Sequence, residues 1–213
     1  MKKTIVCFGD SNTYGYCPSD GGRYDESIRW PGRLAELLGP EYRVIEEGFN
    51  GRTICFDDPV EGGFKSGLTY MPPCVMSHCP VDLTVVMLGT NDTKSRFGMS
   101  AMAIAQAMMH FLRQLRTYAL DAGGKSAKIL LVAPPPLLEG ISGCRYGQCF
   151  GADSLAASQK LKDEYLRLSK LMRCDFLDAG PVSEISTIDC THLTAAGHTR
   201  LAQAMFQKIH EIL

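Results

Sequence analysis

The sequence predicts an α/β fold in which helices cover both faces of a five-stranded parallel sheet. Short runs rich in β-forming residues alternate along the chain with longer stretches whose apolar residues recur every three or four positions. This alternation is typical of parallel strands joined by helical crossovers. The chain has 213 residues and is 45% hydrophobic, which is enough to bury one substantial core. We therefore expect a single domain, residues 1–213, with a doubly wound layout.

Nine segments carry this prediction. The apolar, β-rich runs predict strands at residues 3–8, 42–47, 83–89, 127–133 and 174–178. Helical periodicity predicts helices at residues 29–38, 100–121, 155–172 and 194–212. Two further segments, 51–80 and 135–153, are rich in Gly, Pro and Cys without sustained periodicity, so we predict long loops there. Long loops of this kind often shape binding sites.

Charge and composition exclude several classes of partner. The 22 basic and 23 acidic residues almost cancel, so no positive excess is present to neutralise a nucleic-acid backbone. The first residues, MKKTIVCFGD, contain only a short apolar run, too brief for a signal-peptide core or a membrane span. We predict a cytoplasmic protein with no nucleic-acid and no membrane partner. Nine cysteines are present, and Cys7 and Cys174 lie in apolar strand-like runs, so we interpret the cysteines as reduced.

Polar segments follow four of the predicted strands. In an open parallel sheet, ligands bind outside the carboxyl ends of the strands, so the chemistry is expected just after each strand. The segments are residues 9–12 (GDSN), 48–52 (GFNGR), 89–92 (GTND) and 189–192 (DCTH). We expect all four to meet at one rim of the sheet.

The residue types at this rim fit acyl transfer. A serine hydroxyl is a weak nucleophile until an imidazole takes its proton, and a carboxylate must hold the imidazole in the right tautomer. Ser11, His192 and Asp189 can fill these parts, and one turn can present both Asp189 and His192 because they are three residues apart. The developing oxyanion needs preorganised donors, which the Asn91 amide and the backbone N–H groups of Gly51 and Ser11 can supply.

The blocks GDS, NGRT, GTND and DxxH, in this order from residue 9 to residue 192, resemble the motif blocks of the SGNH (GDSL) hydrolases. The stretches IVCFGDSNTYGY, RVIEEGFNGRT, FDDP, VVMLGTNDTK and LVAPPP are still more similar to the bacterial arylesterase and acyltransferase branch of that family. The resemblance implies a flavodoxin-like three-layer α/β/α sandwich and one SGNH hydrolase domain. It implies hydrolysis of small esters (short-chain, aryl or carbohydrate acetyl) through an acyl-Ser11 intermediate, with neither metal nor organic cofactor.

The resemblance also implies roles, partners and an assembly. The matching positions assign nucleophile Ser11, base His192, orienting acid Asp189, and oxyanion donors Ser11, Gly51 and Asn91. We further expect Asp10 and Asn12, on either side of the nucleophile, to contact the small-molecule ester substrate. Members of the branch form homo-oligomers, often octamers, and transfer acyl groups to alcohols, so the resemblance implies both properties here.

The sequence departs from that branch in two places. Tyr14 and Tyr16 stand after the nucleophile where the branch tends to have tryptophans. The segment 137–153, LLEGISGCRYGQCFGAD, is rich in Gly and Cys where the branch carries proline and aromatic residues. We therefore expect acyl and alcohol pockets that differ from those of the branch.

Other interpretations compete with the hydrolase. In a non-catalytic flavodoxin-like module, the turn at residues 9–15 would bind a phosphate or nucleotide on backbone amides, but it lacks the spacing of a P-loop and leaves DxxH unexplained. An α/β-hydrolase requires G-x-S-x-G, which residues 9–13 do not match at the last position. Ser11 taken alone could also be a helix cap, and Asn91 and Asp92 could form an Asx turn.

The spacing of the cysteines does not favour a metal site. Cys74, His78 and Cys79 lie close together, and Cys144 and Cys149 are five residues apart, but neither group forms the paired knuckles of a structural zinc site. We predict no metal site. We assign surface or packing roles to His78 and to three further histidines, His110, His198 and His210.

Overall fold

A computed structural model describes residues 2–213. Its centre is one sheet of five parallel strands, each close to a predicted one. The strands are β1 (Lys3–Gly9), β2 (Tyr42–Gly48), β3 (Leu83–Met87), β4 (Lys128–Ala133) and β5 (Asp175–Asp178). The strand β3 is buried along its whole length, whereas β2 and β5, at the two edges, are mostly half-buried.

The strand order β2-β1-β3-β4-β5 confirms the predicted flavodoxin-like sheet. The chain leaves β1 toward β2 and leaves the neighbouring β3 toward β4, in the opposite direction, and this switch opens a crevice at the carboxyl ends of β1 and β3. The register brings these ends level, since Gly9 pairs with Gly48 on one side and with Met87 on the other. The segments that follow β1, β2 and β3 are thereby brought to one rim, as expected.

The described residues form six α-helices: α1 (Ser11–Tyr14), α2 (Trp30–Leu38), α3 (Gly67–His78), α4 (Ala101–Tyr118), α5 (Ala152–Met172) and α6 (Ala195–Ile212). Short 3-10 turns occupy Pro59–Glu61, Asn91–Thr93, Ser95–Phe97 and Glu139–Gly143. Apolar residues of α3, α4 and α5 pack on one face of the sheet, and those of α2 and α6 pack on the other. This is the predicted three-layer arrangement. Among residues 2–213, no helix combines the length and the hydropathy needed to cross a bilayer.

Helix α3 corrects the prediction of a continuous loop over residues 51–80. It contains Pro72 and Pro73, which remove backbone donors and ordinarily interrupt a helix, so its sequence does not show a helical pattern. The helix forms because the Ser66 hydroxyl caps its first turn, accepting from the Thr69 N–H at 3.2 Å, and because its inner face is buried. Burial of that face outweighs the low helix propensity of the two prolines.

Candidate active site

The chain turns sharply after β1, at the predicted nucleophile. The Asp10 carboxylate caps α1 by accepting from the Asn12 N–H at 3.0 Å, and Ser11 is the first helical residue. Only glycine fits at position 9, because a Cβ there would lie 2.0 Å from Oγ1 of Thr13. The hydroxyl of Ser11 is thus held where the helix begins, at the rim of the sheet.

The segment 189–192 forms a second tight turn just before α6. One oxygen of the Asp189 carboxylate accepts from the backbone N–H groups of Thr191 (3.1 Å) and His192 (3.0 Å), and the other lies 2.7 Å from Nδ1 of His192. Burial raises the pKa of Asp189, but the hydrogen bonds from His192 and Thr191 together outweigh it and hold the pKa below its ordinary value. Asp189 is therefore ionised, and the His192 ring is fixed in orientation.

The two turns bring Ser11 and His192 together. Nε2 of His192 lies 2.8 Å from Oγ of Ser11, and both residues are buried. Because Nδ1 faces the Asp189 carboxylate, it carries the proton, so Nε2 is left as an acceptor for the serine hydroxyl. This arrangement can activate a serine for nucleophilic attack.

Two tyrosines enclose the His192 ring. The Tyr16 ring centroid is 4.3 Å from that of His192, and the Tyr146 ring meets it edge-on at 5.6 Å. The two phenol groups are hydrogen-bonded to each other across 2.7 Å. Tyr16 was noted in the sequence only as a departure from tryptophan, and Tyr146 comes from the Cys-rich loop, defined here as residues 137–153.

Asp10 and Asn12, which we expected to contact the substrate, are held by contacts within the protein. Neither lines the cavity beside Ser11, and both are buried, at 1% and 2% exposure. The Asn12 side chain instead donates to the carbonyl of Thr191 at 3.3 Å and accepts from the N–H of Leu193 at 2.9 Å. Burial raises the pKa of Asp10 to about 6. Because α1 folds back against the protein, the side chains flanking Ser11 point inward and position the two turns.

The second block supplies a turn with a backbone that only glycine adopts readily. Gly51 has a φ of +78°, and a Cβ there would lie 2.8 Å from the Glu61 carboxylate. Among residues 2–213, neither the Gly51 N–H nor the Ser11 N–H donates to a protein acceptor, although both residues line the cavity. Both N–H groups are therefore free to bind an oxyanion.

Arg52 and Asn91 connect this turn to β1 and β3. The buried guanidinium of Arg52 donates to the carbonyl groups of Gly9 (2.9 Å) and Glu47 and packs over the Phe8 ring. The Arg52 carbonyl accepts from the Asn91 amide at 3.1 Å. The same amide nitrogen is 3.5 Å from Asp10, a long contact, so one of its two N–H groups can turn toward a ligand in the cavity.

Asp92 has a structural position next to Asn91. Its fully buried carboxylate accepts from the Ile54 N–H at 2.9 and 3.2 Å, which fastens the loop after Gly51 to the loop after β3. Burial is the main cause that raises the pKa of Asp92 to about 7. The structure thus separates two neighbours of the GTND block: Asn91 lines the cavity and Asp92 does not.

A cavity of about 190 Å³ opens beside Ser11 and His192. In addition to Ser11 and His192, its walls include three aromatic or thiol side chains of the Cys-rich loop and two charged groups. These lining residues are Tyr146, Cys149, Phe150, Glu61 and Lys94. A larger cavity of about 350 Å³ between the loop before α4 and the first turns of α5 contains no candidate catalytic group.

Lys94 and Glu61 were not identified from the sequence. The Lys94 ammonium, which is 3% exposed, lies 2.7 Å from Glu61 and 3.6 Å from the fully buried Asp58. Arg96 holds the same Asp58 through two contacts of 3.0 and 3.1 Å. This network connects the loop after β2 to the loop after β3. Asp58 lies in the stretch FDDP and Lys94 in the stretch VVMLGTNDTK. The pairing of the two residues depends on loops that are distant in the sequence and meet only in the folded protein.

The residues Cys74, His78 and Cys79, which are close in sequence, are only partly brought together. Within residues 2–213, one group of three suitable side chains, Glu47, Cys74 and His78, has ligand atoms within 4.8 Å of one another, and Cys79 is not among them. Glu47 already accepts from Tyr70 at 3.1 Å and lies 2.8 Å from His78, so hydrogen bonds hold this group together. His78 is thus held beside Glu47 and is partly buried.

The other histidines differ in their surroundings. His198 is fully buried, accepts from the Trp30 N–H at 3.3 Å, and burial lowers its pKa to about 3. It is a neutral packing residue. His110 and His210 are exposed, in keeping with the surface roles expected for them.

Comparisons with known proteins agree with this geometry. A family model described as "GDSL-like Lipase/Acylhydrolase family" matches residues 7–200. No curated protein sequence matches the chain. Among solved structures, the carbohydrate acetylesterase Est24 from Sinorhizobium meliloti is 37% identical, with a TM-score of 0.91 over 100% of both chains. The aryl esterase from M. smegmatis is 36% identical, with a TM-score of 0.91 over 99% of this chain and 100% of that one. A carbohydrate acetylesterase family member from Sinorhizobium meliloti is 32% identical, with a TM-score of 0.93 over 99% of each chain.

Proposed function

The chain belongs to the GDSL-like lipase/acylhydrolase family and is a serine esterase, and from this premise we propose that Ser11, His192 and Asp189 form its catalytic triad. The observation that carries the proposal is the continuous chain of contacts from Ser11 Oγ through His192 to Asp189, at 2.8 and 2.7 Å. Single-domain organisation over residues 1–213 is part of the same proposal.

The first half of the reaction follows from these contacts. The Ser11 hydroxyl attacks the ester carbonyl while Nε2 of His192 takes its proton, and the ionised Asp189 stabilises the imidazolium that forms. His192 then delivers the proton to the leaving alcohol, which departs and leaves an acyl-serine. In the second half, His192 takes a proton from water, which attacks the acyl carbon, and the proton returns to Ser11 as the acid is released.

Negative charge develops on the carbonyl oxygen in both halves. The N–H groups of Ser11 and Gly51 and the amide of Asn91 supply the donors in our proposal, one from each of three neighbouring loops. Arg52 supports this arrangement, because its guanidinium and its carbonyl connect the Gly51 turn to Gly9 and to Asn91.

We propose small acyl esters, in particular acetyl esters of carbohydrates or aryl alcohols, as substrates. Two observations support this class. The relatives are described as carbohydrate acetylesterases and an aryl esterase, and the cavity beside Ser11 is small, about 190 Å³, in keeping with a small ester. Its aromatic walls, Tyr16 and Tyr146, suit the face of a sugar or aryl ring, and Asn50, Glu61 and Lys94 suit hydroxyl groups. Transfer of the acyl group to an alcohol in place of water is an extension of the same proposal.

The alternative of a non-catalytic phosphate-binding module is not favoured. The turn at residues 9–15 that would bind phosphate is occupied by contacts of the esterase arrangement, and the relatives are esterases. A phosphate on that turn would also meet the buried carboxylate of Asp10.

Two expectations about the molecule in the cell remain proposals. Homo-oligomerisation, for which the family resemblance includes octamers among the sizes, is supported by the exposed apolar side chains of the loop that follows β2, namely Phe49, Phe56, Val60 and Phe64. Light scattering after size-exclusion chromatography measures the mass directly. A cytoplasmic location is supported by nine cysteines that are all free in the structure.

Labelling with a fluorophosphonate tests the proposed nucleophile. We expect one equivalent of label on Ser11, with loss of both labelling and turnover in Ser11→Ala. The matched control is Ser27→Ala, an exposed serine hydrogen-bonded to Asp25 at the protein surface, which should label and turn over normally. Full labelling of Ser11→Ala would remove Ser11 from the mechanism.

A panel of p-nitrophenyl esters from acetate to octanoate, together with acetylated monosaccharides, tests the substrate class. We expect kcat/KM to be highest for acetate and to fall steeply as the acyl chain lengthens. A maximum at octanoate would contradict the small acyl pocket while leaving the triad assignment intact.

A further inference from the structure

The Cys-rich loop, residues 137–153, packs directly on the turn at residues 189–192, here named the catalytic turn. Leu137, Ile141 and Phe150 form a small buried apolar cluster with Cys190, which lies between Asp189 and His192 in the chain. The Leu138 N–H also donates to the Cys190 carbonyl at 3.1 Å. Ester hydrolysis gives no reason for cysteines in this loop, so their placement calls for a separate explanation.

Two thiols meet across this contact. Sγ of Cys144 lies 2.6 Å from Sγ of Cys190. A disulfide bond is about 2.0 Å long, so joining the two sulfur atoms requires a movement of roughly half an ångström. Cys144 is half-buried, whereas Cys190 is 4% exposed. The pair thus combines a partly exposed residue with a buried one whose thiol it already contacts.

We propose that Cys144 and Cys190 form a reversible disulfide that fastens the Cys-rich loop to the catalytic turn. The oxidant is a low-molecular-weight disulfide. The Cys144 thiolate attacks one of its sulfur atoms, which releases one small thiol and leaves a mixed disulfide on Cys144. The Cys190 thiolate then attacks Sγ of Cys144 and expels the second small thiol. Two protein protons and two electrons pass to the oxidant, which is reduced to two thiols.

The cross-link acts on the substrate cavity through Tyr146. This residue is two positions after Cys144, is hydrogen-bonded to the hydroxyl of Tyr16, and lies edge-on against His192. Phe150 of the same loop also lines the cavity. Fixing Cys144 to the catalytic turn restricts Tyr146 and Phe150 before substrate binds. These two side chains therefore lose less conformational entropy on binding. We expect KM to fall about two- to tenfold on oxidation, with a smaller change in kcat.

The cross-link also restricts the unfolded chain, because Cys144 and Cys190 are 46 positions apart. Closing a loop of this length lowers the entropy of the unfolded state, so Tm should rise by roughly 5–10 °C in the oxidised protein. A contact that merely packs two thiols together predicts no dependence of Tm on the redox buffer.

Peptide mapping of the purified full-length chain in glutathione buffers tests the proposal. After thiols are blocked by alkylation, cleavage after Arg145 separates Cys144 from Cys149, and cleavage after Glu184 separates Cys190 from Cys174. We expect a peptide that links Cys144 to Cys190 in oxidised glutathione, its loss on adding dithiothreitol, and its absence in Cys144→Ser. Cys79→Ser, which removes an exposed cysteine far from the loop, is the matched control and should keep the link.

The kinetic arm uses the same samples. Oxidation should lower KM and raise Tm in the unaltered chain and in Cys79→Ser, and should change neither in Cys144→Ser. Absence of the linked peptide in fully oxidised glutathione, or a link that forms without any change in KM and Tm, would overturn the proposal. The mapping does not depend on ester turnover, so its failure is distinguishable from failure of the proposed catalytic roles.

Discussion

The side chain of Asn12 accepts a hydrogen bond from the N–H of Leu193, and so joins the turn after β1 to the residue that follows His192. The amide of Asn12 also donates to the Thr191 carbonyl, so one side chain holds the backbone on both sides of His192. We predict that Asn12→Ala lowers kcat by roughly 10- to 100-fold through misplacement of His192, with little change in KM.

Steady-state kinetics and circular dichroism on the same preparations measure this effect. Asn12→Asp is the matched variant, because it keeps an acceptor for the Leu193 N–H but loses the donor to the Thr191 carbonyl. Its kcat should lie between those of the unaltered enzyme and Asn12→Ala. An alanine variant with kcat within twofold of the unaltered enzyme would show that the catalytic turn holds itself in place.

Asp189→Asn tests the orienting acid. An amide in place of the carboxylate can present N–H to Nδ1 of His192, which favours the tautomer that carries its proton on Nε2 and cannot accept from Ser11. We expect kcat to fall by about 10⁴ with an intact fold. Stopped assays with active-site titration provide the measurement, and a loss smaller than tenfold would argue against this role for Asp189.

Asn91→Ala tests the oxyanion donor. If Asn91 binds charge that develops only in the transition state, kcat should drop by roughly 10² to 10³, about 2.7 to 4 kcal/mol, while KM changes little. If the residue only shapes its loop, the variant should instead lose thermal stability and keep its kcat per folded molecule. Thermal melting together with kinetics separates these outcomes, and Thr90→Ser, a conservative change at the preceding residue, controls for disturbance of the loop.

Asp92→Asn tests the buried carboxylate. Its pKa is raised in the folded protein to about 7, so the folded state binds the proton more tightly than the unfolded state does. The free energy of unfolding should therefore decrease as pH rises from about 4 to about 7, by up to roughly 4 kcal/mol from this group. Asparagine still offers an oxygen to the Ile54 N–H but cannot ionise, so the variant should lose this part of the pH dependence.

Urea unfolding at pH 4 and pH 8 measures that difference. The exposed Asp163→Asn variant is the control and should keep the pH dependence of the unaltered protein. If the free energy of unfolding differed by the same amount between pH 4 and pH 8 in Asp92→Asn and in the unaltered protein, Asp92 would already be ionised in the folded state at pH 4.

The sheet was predictable because each strand carries its own signal. All five predicted strands are present within a few residues of their observed limits, since runs such as TIVCF and KILLVA are apolar, short and bounded by turn residues. Helix α3 was missed because its two prolines conceal a buried face that only packing against α4 reveals. Local propensity and tertiary burial disagree there, and burial prevails.

In the candidate site, too, some residues could be predicted from the sequence and others depend on contacts between distant segments. Ser11, Asp189 and His192 stand out in the sequence because short spacings around them fit one reaction, and the fold brings them together. The inward direction of Asn12 could not be read from its position beside Ser11, because its partners lie about 180 positions away. The contact between Lys94 and Glu61 likewise joins two loops whose approach depends on the whole rim.

The position of the proposed triad along the chain has a consequence for folding. Ser11 follows the first strand, whereas His192 stands just before the last helix, which covers the sheet beside α2. In a folding chain, the turn that carries Ser11 can form with the first strands, whereas His192, the proposed base, is not held in place until α6 docks beside α2. Because His192 is the proposed base, we expect the onset of ester hydrolysis during refolding to report the docking of α6, and we expect a truncated chain that lacks α6 to be inactive toward esters.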